Sequence, residues 1–399
     1  MKLFAVAKKL GSRMTEPLST EPLRRIQISQ PDTGEAEWQA LREPVMSGWL
    51  TQGPKVAAFE QAFAHQFALG HALASSNCTT ALHLILTALG IGPGDEVIVP
   101  AFTWVASANV VLYCGATPVF ADIDPQSYNL DPVDLARRIT PRTKAIMPVH
   151  LFGLCADIDA IAAVAGELPL IEDAACAVGA RYKGLYAGRL GRAAAFSFHP
   201  RKTLTTGEGG MISTLDAALA ETMSQLRNHG ASVSEEQRHH GPQPYLLPEF
   251  NLLGFNYRMT DLQGAVGLVQ LEKLDRLQTE RRQWADYYLQ ELADLPWLQL
   301  PSVPSDRVHG WQAFVCRVDA ERLGRSRNQL MQELQAAGIS TRPGTHAVHM
   351  LGYYRERFGL QPEDFPVARD CDRDTMALPL HNRMSEADYA HVVKVLKQS

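Results

Sequence analysis

Short apolar runs alternate with helical patterns along most of the sequence, and this alternation constrains the fold more than any other feature. Two of the runs, 96–100 (EVIVP) and 117–123 (TPVFADI), are rich in Val, Ile and Ala and show little polar alternation. Strands of this kind lie in sheets that are covered on both faces. Because helices separate the runs, we expect βα units and an α/β fold with a mostly parallel sheet. Further strands are predicted at 145–151, 168–171, 193–198 and 211–214.

The 399 residues are enough for one large and one small domain. We assign 1–50 to an N-terminal arm and the start of the small domain, 51–270 to the large domain and 271–399 to a small C-terminal domain. A long helical pattern over 260–294 bridges the two domains, and the small domain ends with a helix near 385–397. The segment 229–249, rich in His, Gln and Pro, is predicted to be a long irregular loop.

Charge and cysteine content exclude several classes of protein. The 38 basic and 43 acidic residues leave a net charge of −5, which does not favour nucleic-acid binding. No apolar stretch approaches the roughly 20 residues of a membrane span. The short N-terminal apolar run precedes Lys8 and Lys9 rather than following them, unlike a signal peptide, so we expect a cytoplasmic protein. The six cysteines form no CxxC pair, which argues against a disulfide scaffold and a structural metal site.

Lys202 is a candidate nucleophile, because it follows the buried run 193–198 and precedes the glycine cluster 207–210. Ligands of α/β proteins bind at the carboxyl ends of strands, where partial desolvation frees an amine. The alternative is an ordinary surface lysine. The glycine cluster lacks the spacing of a nucleotide loop, and we interpret it as a turn that brings backbone close to a cofactor.

Asp173 follows the predicted strand 168–171, so its carboxylate needs a cationic partner to repay desolvation. A protonated pyridine nitrogen is one such partner, and a helix N-cap is the simpler alternative. Cys78 and Thr79 lie at a predicted helix N-terminus, where backbone N–H groups can bind phosphate or be capped by Ser and Thr side chains. Trp104, after the strand 96–100, can stack on a planar ring or fill the core.

None of these signals is strong alone, but their order along successive strand ends is informative. A phosphate site, a stacking aromatic, an Asp for a pyridine nitrogen and a Lys for a Schiff base together describe a pyridoxal 5′-phosphate (PLP) site. His150 is predicted to be a hydrogen-bonded structural residue rather than a base.

With these residues in place, the sequence resembles the DegT/DnrJ/EryC/StrS sugar aminotransferases, which have the aspartate aminotransferase fold. The resemblance extends from about residue 47 to the C-terminus. Its matching motifs are 47–54 (SGWLTQGP), 90–97 (GIGPGDEV), 115–120 (GATPVF), 150–153 (HLFG), 171–175 (IEDAA), 197–202 (SFHPRK) with 207–210 (GEGG), and 256–259 (NYRM). The resemblance implies a seven-stranded, mostly parallel sheet in a large PLP-binding domain, with a smaller α+β domain.

The resemblance also implies roles for individual residues. Lys202 forms the Schiff base with PLP, Asp173 contacts the pyridine nitrogen and Trp104 stacks on the ring. Cys78, Thr79 and Ser197 hold the phosphate, while Asn256 reaches the phosphate of the neighbouring subunit in a homodimer with shared active sites. Cys176 occupies a ring-contact position at which the family usually has Gln or His.

A PLP-dependent transaminase is therefore expected, with an amino acid donor, L-glutamate by family habit, and a keto or aldehyde sugar as acceptor. The family's common acceptor is a nucleotide-linked keto-deoxysugar for surface polysaccharide or natural products. Alternatives are a free oxidised sugar acid as acceptor, or dehydration, although family dehydratases replace the lysine with histidine. Substrate contacts are predicted for Arg258, Arg342, His346 and His349, with Tyr353 and Tyr354 nearby. No metal, membrane or nucleic-acid partner is expected.

Overall fold

The computed structural model describes residues 25–233, 245 and 247–399. Its strands are β1 His71–Ser75, β2 Glu96–Pro100, β3 Phe102–Thr103, β4 Thr117–Ala121, β5 Thr143–Ile146, β6 Ile171–Asp173, β7 Arg181–Tyr182, β8 Leu185–Tyr186, β9 Ala193–Ser197, β10 Gly210–Thr214, β11 Leu298–Gln299, β12 Arg307–Val308, β13 Phe314–Val318, β14 Arg342–Pro343, β15 His346–Ala347 and β16 Thr375–Leu378.

The same residues form α-helices that separate most of these strands. They are α1 Glu35–Ala40, α2 Arg42–Ser47, α3 Pro54–Gln66, α4 Cys78–Ala88, α5 Ala106–Tyr113, α6 Pro132–Arg138, α7 Ile158–Ala165, α8 Ala217–Arg227, α9 Asp261–Glu291, α10 Ala320–Leu323, α11 Arg327–Ala336, α12 Gly352–Phe358, α13 Pro366–Asp374 and α14 Glu386–Gln398.

The central sheet consists of two hydrogen-bonded ladders. In one, β2 lies between β4 and β5 and is parallel to both. In the other, β6 is parallel to β9, and β10 runs antiparallel between β9 and β1. Parallel bridges join Ile146 to Leu170 and Val149 to Asp173, so the ladders meet edge to edge. The α/β class and the mostly parallel sheet are confirmed, and the described strands divide into ladders of four and three.

Two of the predicted strands have different limits in the structure. The run 145–151 forms β5 only as far as Ile146, and the chain then turns through a short 3-10 helix at Leu151–Gly153. The run 168–171 contributes only its last residue to β6, which continues to Asp173. Asp173 pairs with Ala195 of β9, so it is the final residue of the strand rather than the residue after it.

The long helix α9 joins the core around the central sheet to the C-terminal part of the chain. Thr260 caps its N-terminus and accepts from the Gln263 N–H, in a capping box. The Asp261 carboxylate accepts hydrogen bonds from the N–H groups that begin α3, those of Gly53 (2.8 Å) and Val56 (3.0 Å). Because Gly264 has no side chain, the backbones of α9 and α3 can pack closely: a Cβ there would lie 2.7 Å from the Val56 nitrogen.

A second, antiparallel sheet has the strand order β11-β13-β16-β14. Its core contains Tyr288 of α9, Phe314 of β13 and Tyr389 of α14, together with Ile26 from the N-terminal segment. An isolated bridge joins Ile26 to Ile339, which lies between α11 and β14, so the N-terminal segment is attached to the chain beside this sheet.

The segment around α12 and α13 packs on the larger core instead. Val348, Tyr354 and Phe365 share a buried cluster with Phe120 of β4, and β15 pairs with β3. The domain limits at 50 and 270 therefore stay predictions. Residues 1–24 of the predicted arm, and 234–244 and 246 of the predicted loop, lie outside the described residues. None of the described helices is both long and apolar enough to cross a membrane.

Candidate active site

Lys202 lies in the turn that follows β9, and its Nζ reaches the region between β6 and α4. Its backbone N–H donates to the His199 carbonyl (2.8 Å), which tightens the turn. Nζ donates to the Cys176 Sγ at 3.1 Å. Burial lowers the pKa of Lys202, but Cys176, Cys78 and Asp173 raise it, and the net shift is upward. The Lys202 amine therefore lies near three groups, Cys176, Cys78 and Asp173, that favour its charged form.

The Asp173 carboxylate is buried at the carboxyl end of β6. It accepts hydrogen bonds from the Ser107 hydroxyl (2.8 Å) and the Ala175 N–H (3.2 Å). Both donors are neutral, and the described residues place no arginine or lysine in hydrogen-bonding contact with it. Lys202 is close enough only to interact through its charge. A buried carboxylate in this position can stabilise a further positive group, such as a protonated pyridine nitrogen.

Ser107 was not among the residues predicted from the sequence. It lies in the first turn of α5, fully buried, and its hydroxyl is also 3.0 Å from the Thr103 hydroxyl. The signal that could have identified it is the pair of hydroxyl residues at 103 and 107, spaced one helical turn apart in an otherwise apolar segment. Its contact with Asp173 crosses 66 residues of sequence, and no local pattern predicts that.

The N-terminus of α4 is the predicted phosphate site, called the cradle below. Asn77 is the N-cap, and its side chain accepts from the Thr80 N–H at 2.9 Å. The N–H groups of Cys78 and Thr79 have no acceptor among the described residues, and at a helix N-terminus such groups point toward an anion. Gly210 packs against this turn: a Cβ there would lie 2.5 Å from the Asn77 carbonyl carbon and 2.7 Å from the Cys78 nitrogen.

Ser197 lies in the row of paired residues that borders this cradle. It pairs with Gly210, which in turn pairs with Ser75 on β1. The Ser197 hydroxyl is largely buried and accepts weakly from the His199 N–H (3.4 Å). The glycine cluster thus brings backbone close to the cradle, and Ser197 lies at the strand end beside it; an approach to a cofactor stays a prediction.

Trp104 is 57% exposed at the end of β3, so it is not a core residue. Its ring lies 5.7 Å from the ring of His346, which is exposed on β15. The Trp104 carbonyl accepts from the backbone N–H of Ser107 (3.1 Å), whose hydroxyl donates to Asp173. The exposed indole is therefore tied to the Asp173 site through one serine.

These observations fit PLP. The cradle supplies N–H donors for a phosphate, and Asp173 provides a buried negative charge without a hydrogen-bonded cation for the pyridine nitrogen. Trp104 offers an exposed flat face, and Lys202 an amine. Charge interactions link Cys78, Cys176, Asp173 and Lys202 with one another.

The remaining predicted residues are exposed or bonded to other partners. Asn256 is exposed, and its neighbour Arg258 donates to the Asn228 side chain at 2.7 Å. Arg342 is exposed on β14 and bonds only to the Thr341 carbonyl (3.4 Å) among the described residues.

His349 is fully buried against the Phe365 ring, with 4.8 Å between ring centroids. Burial is the largest influence on the pKa of His349 and lowers it. The structure therefore does not bring this side chain to the surface around Lys202, because hydrophobic packing encloses it. Tyr354 is likewise buried, whereas Tyr353 is 57% exposed.

His150 has a structural role, as predicted. Its Nε2 lies 2.9 Å from a Glu172 oxygen, and its Nδ1 accepts from the Ala156 N–H, so Nε2 is the atom that donates. Glu172 is also bound by the N–H groups of Gly188, Leu190 and Gly191. All six cysteines are free thiols, and the described residues contain no cluster of His, Cys, Asp and Glu that could hold a metal ion.

Comparison with known proteins agrees with this geometry. Residues 31–397 match the model of the DegT/DnrJ/EryC1/StrS aminotransferase family. The chain belongs to this family. It is a PLP-dependent aminotransferase, and the resemblance inferred from the sequence motifs is confirmed.

Individual relatives cover nearly the whole chain. The GDP-perosamine synthase of Caulobacter vibrioides is 43% identical over 380 residues, which are 94% of this chain and 98% of the relative. The spore coat polysaccharide biosynthesis protein SpsC of Bacillus subtilis is 42% identical over 92% of this chain and 95% of its own. Spr1654 of Streptococcus pneumoniae, solved in PMP and PLP forms, is 29% identical; its PMP form has a TM-score of 0.86 over 94% of this chain and 97% of that one.

Proposed function

We propose that this aminotransferase moves an amino group from L-glutamate to a nucleotide-linked 3- or 4-keto-6-deoxyhexose, for surface-polysaccharide or natural-product synthesis. The observation that carries the proposal is the amine of Lys202, which donates to Cys176 and interacts by charge with Asp173 and with Cys78 at the cradle of α4. Relatives named for GDP-perosamine and for spore coat polysaccharide support a sugar acceptor, so GDP-linked sugars are the first to test.

The roles of the site residues follow from their contacts. PLP, when bound, supplies an electron sink that weakens a bond at the α-carbon of the donor. Lys202 Nζ then carries the proton as general base and acid, with the Cys176 sulfur as its neighbour when the amine is free. Asp173, oriented by Ser107 and Ala175, holds positive charge on the ring nitrogen. The cradle N–H groups of Cys78 and Thr79 and the Ser197 hydroxyl bind the phosphate.

Trp104 and His346 form one wall of the proposed acceptor site. The indole would stack on the cofactor ring, and His346 lies beside the indole, with 5.7 Å between ring centroids. Arg342 and Arg258 have no carboxylate partner among the described residues, so each guanidinium is available for a carboxylate of the donor or a phosphate of the acceptor.

A homodimer with shared sites is part of the proposal. Exposed apolar side chains lie close in sequence to Asn256: Phe250 is 60% exposed and Leu253 is 91% exposed. A second copy that covers them would place Asn256 at the partner's cradle.

Co-expression of two variants tests this sharing. Lys202→Ala and Asn256→Ala chains are each expected to be impaired. A mixed dimer contains a site with both native residues only if Asn256 acts across the interface. In that case, random mixing of the two chains should restore about a quarter of wild-type activity. If Asn256 acts within its own chain, mixing restores nothing.

A half-reaction screen tests the acceptor. The enzyme in its pyridoxamine phosphate form is mixed with GDP- and dTDP-linked keto-deoxysugars and with free oxidised sugar acids, and the return of the PLP absorbance is followed. We expect return with a nucleotide-linked sugar, and one oxo acid per amino sugar in the full reaction. Return only with a free sugar acid would replace the acceptor. Sugar consumption without oxo acid would identify a dehydratase instead.

A further inference from the structure

The contact between Cys176 and Lys202 places a thiol against the amine that the reaction needs. Sγ and Nζ are 3.1 Å apart, and both residues are only partly buried. The thiol is held in a short turn after β6, in which the Ala177 N–H donates to the Ala174 carbonyl at 2.9 Å. The missing side chain of Gly153 lets another loop approach this turn, since a Cβ there would lie 3.2 Å from the Cys176 carbonyl oxygen. The geometry of the pair is therefore set by backbone packing.

The other thiols of the chain are protected from oxidation. Peroxides react with thiolates, and thiolates form least readily in apolar surroundings. Burial raises the pKa of each of the other five thiols: Cys78, Cys114, Cys155, Cys316 and Cys371. Cys176 differs in its contact, because an amine donates to its sulfur at 3.1 Å. Oxidation should begin at Cys176.

We propose that Cys176 and Lys202 form a peroxide-sensitive pair, in which oxidation joins Sγ to Nζ and reversibly removes the free amine. In the first step, the sulfur attacks one oxygen of hydrogen peroxide and the O–O bond breaks. This gives the sulfenic acid and water, the sulfur being oxidised by two electrons and the peroxide reduced. In the second step, neutral Nζ attacks the sulfur, an S–N bond forms, the S–O bond breaks, and a second water leaves with the nitrogen's proton.

The first step prepares the second. Burial is the largest influence on the pKa of Lys202 and lowers it, while the charge interaction with Cys176 is the largest of those that raise it. Conversion to a neutral sulfenic acid removes that charge, so the amine loses its proton more easily and becomes nucleophilic. A dithiol reverses the link, because its thiolate attacks the sulfur, breaks the S–N bond and restores both side chains.

Intact-mass spectrometry of the full-length, cofactor-free protein tests the proposal. After brief treatment with hydrogen peroxide, we expect a loss of about 2 Da, the two hydrogens removed by the S–N bond. Peptide mapping should show that the segments containing residues 176 and 202 are joined to each other, and dithiothreitol should restore the original mass. Protein loaded with PLP before treatment should show no such link, because the cofactor occupies the amine.

Matched variants control for other chemistry. Cys176→Ser should show no mass loss, and Lys202→Ala should gain about 32 Da, because its sulfenic acid has no amine to trap it and oxidises further to sulfinic acid. Cys114→Ser removes another partly buried thiol and should still form the link. Sulfinic acid at Cys176 in the wild-type protein, with Lys202 unmodified, would overturn the proposal. This readout requires no turnover, so its failure leaves the proposed function standing.

Discussion

Replacing Gly210 with Ala is the most direct test of the phosphate cradle. Gly210 does not have a left-handed φ, so its backbone suits any residue and only space excludes a side chain. The added Cβ would lie 2.5 Å from the Asn77 carbonyl carbon, 2.6 Å from its oxygen and 2.7 Å from the Cys78 nitrogen. All three are backbone atoms of the cradle, so no side-chain rotation relieves the contact.

The size of the effect follows from these distances. Ordinary contacts of this kind are 3.4–4 Å, so the first turn of α4 must move by about 1 Å, enough to break a hydrogen bond. A hydrogen bond to a charged group contributes about 1.5–3 kcal/mol, and its loss weakens PLP binding by about 10- to 150-fold. Overpacking should also lower the free energy of unfolding by about 1–3 kcal/mol.

The assay is a spectrophotometric titration of cofactor-free protein with PLP, at a temperature at which circular dichroism shows both proteins folded. Gly352→Ala is the matched control, because a Cβ there meets nothing within 4 Å and its φ is not left-handed. It should bind PLP as the wild type does. If Gly210→Ala binds PLP within about 3-fold of wild type, the cradle is not where we place it.

Three further predictions concern single residues. Lys202→Ala should lose both the yellow colour of lysine-linked PLP and turnover, and full activity in this variant would refute its assignment. Ser107→Ala removes a buried donor to Asp173 and should lower the free energy of unfolding by about 1–3 kcal/mol in urea titrations; an unchanged midpoint would contradict the contact. Burial lowers the pKa of His309 to about 3 and of His381 to about 4, from 6.5. The unfolded chain therefore binds protons that the folded chain does not, and stability falls as pH drops below about 6.5, by about 2 kcal/mol per histidine near pH 5. Urea titrations near pH 5 and above about pH 6.5 measure this effect. The His309→Gln variant should lose less stability between these two conditions, because it lacks one of the two histidines.

Much of the site could be predicted from local patterns. The apolar run 96–100 forms β2, and the pattern over 260–294 forms α9 within a few residues. Lys202 follows a strand of the sheet, as its position after an apolar run indicated. These predictions succeed because strand and helix periodicity, and the chemistry of Lys and Asp, are properties of neighbouring residues.

Other features depend on contacts between distant parts of the chain. The burial of His349 could not be predicted from its local sequence, because Phe365, which lies just before α13, encloses it. Gly210 belonged to a recognisable glycine cluster, but its contact with Asn77 depends on how β10 packs against α4.

The fold class, the cofactor and the family could all be inferred from the amino-acid sequence, because apolar periodicity and short motifs with characteristic residues record them. Only the tertiary structure decided that Ser107 donates to Asp173, that Cys176 lies against Lys202 and that Gly210 leaves room for the cradle. Each of these contacts joins residues from separate elements. Their distances depend on how strands and helices pack, which the close packing of the interior determines and which no local pattern contains.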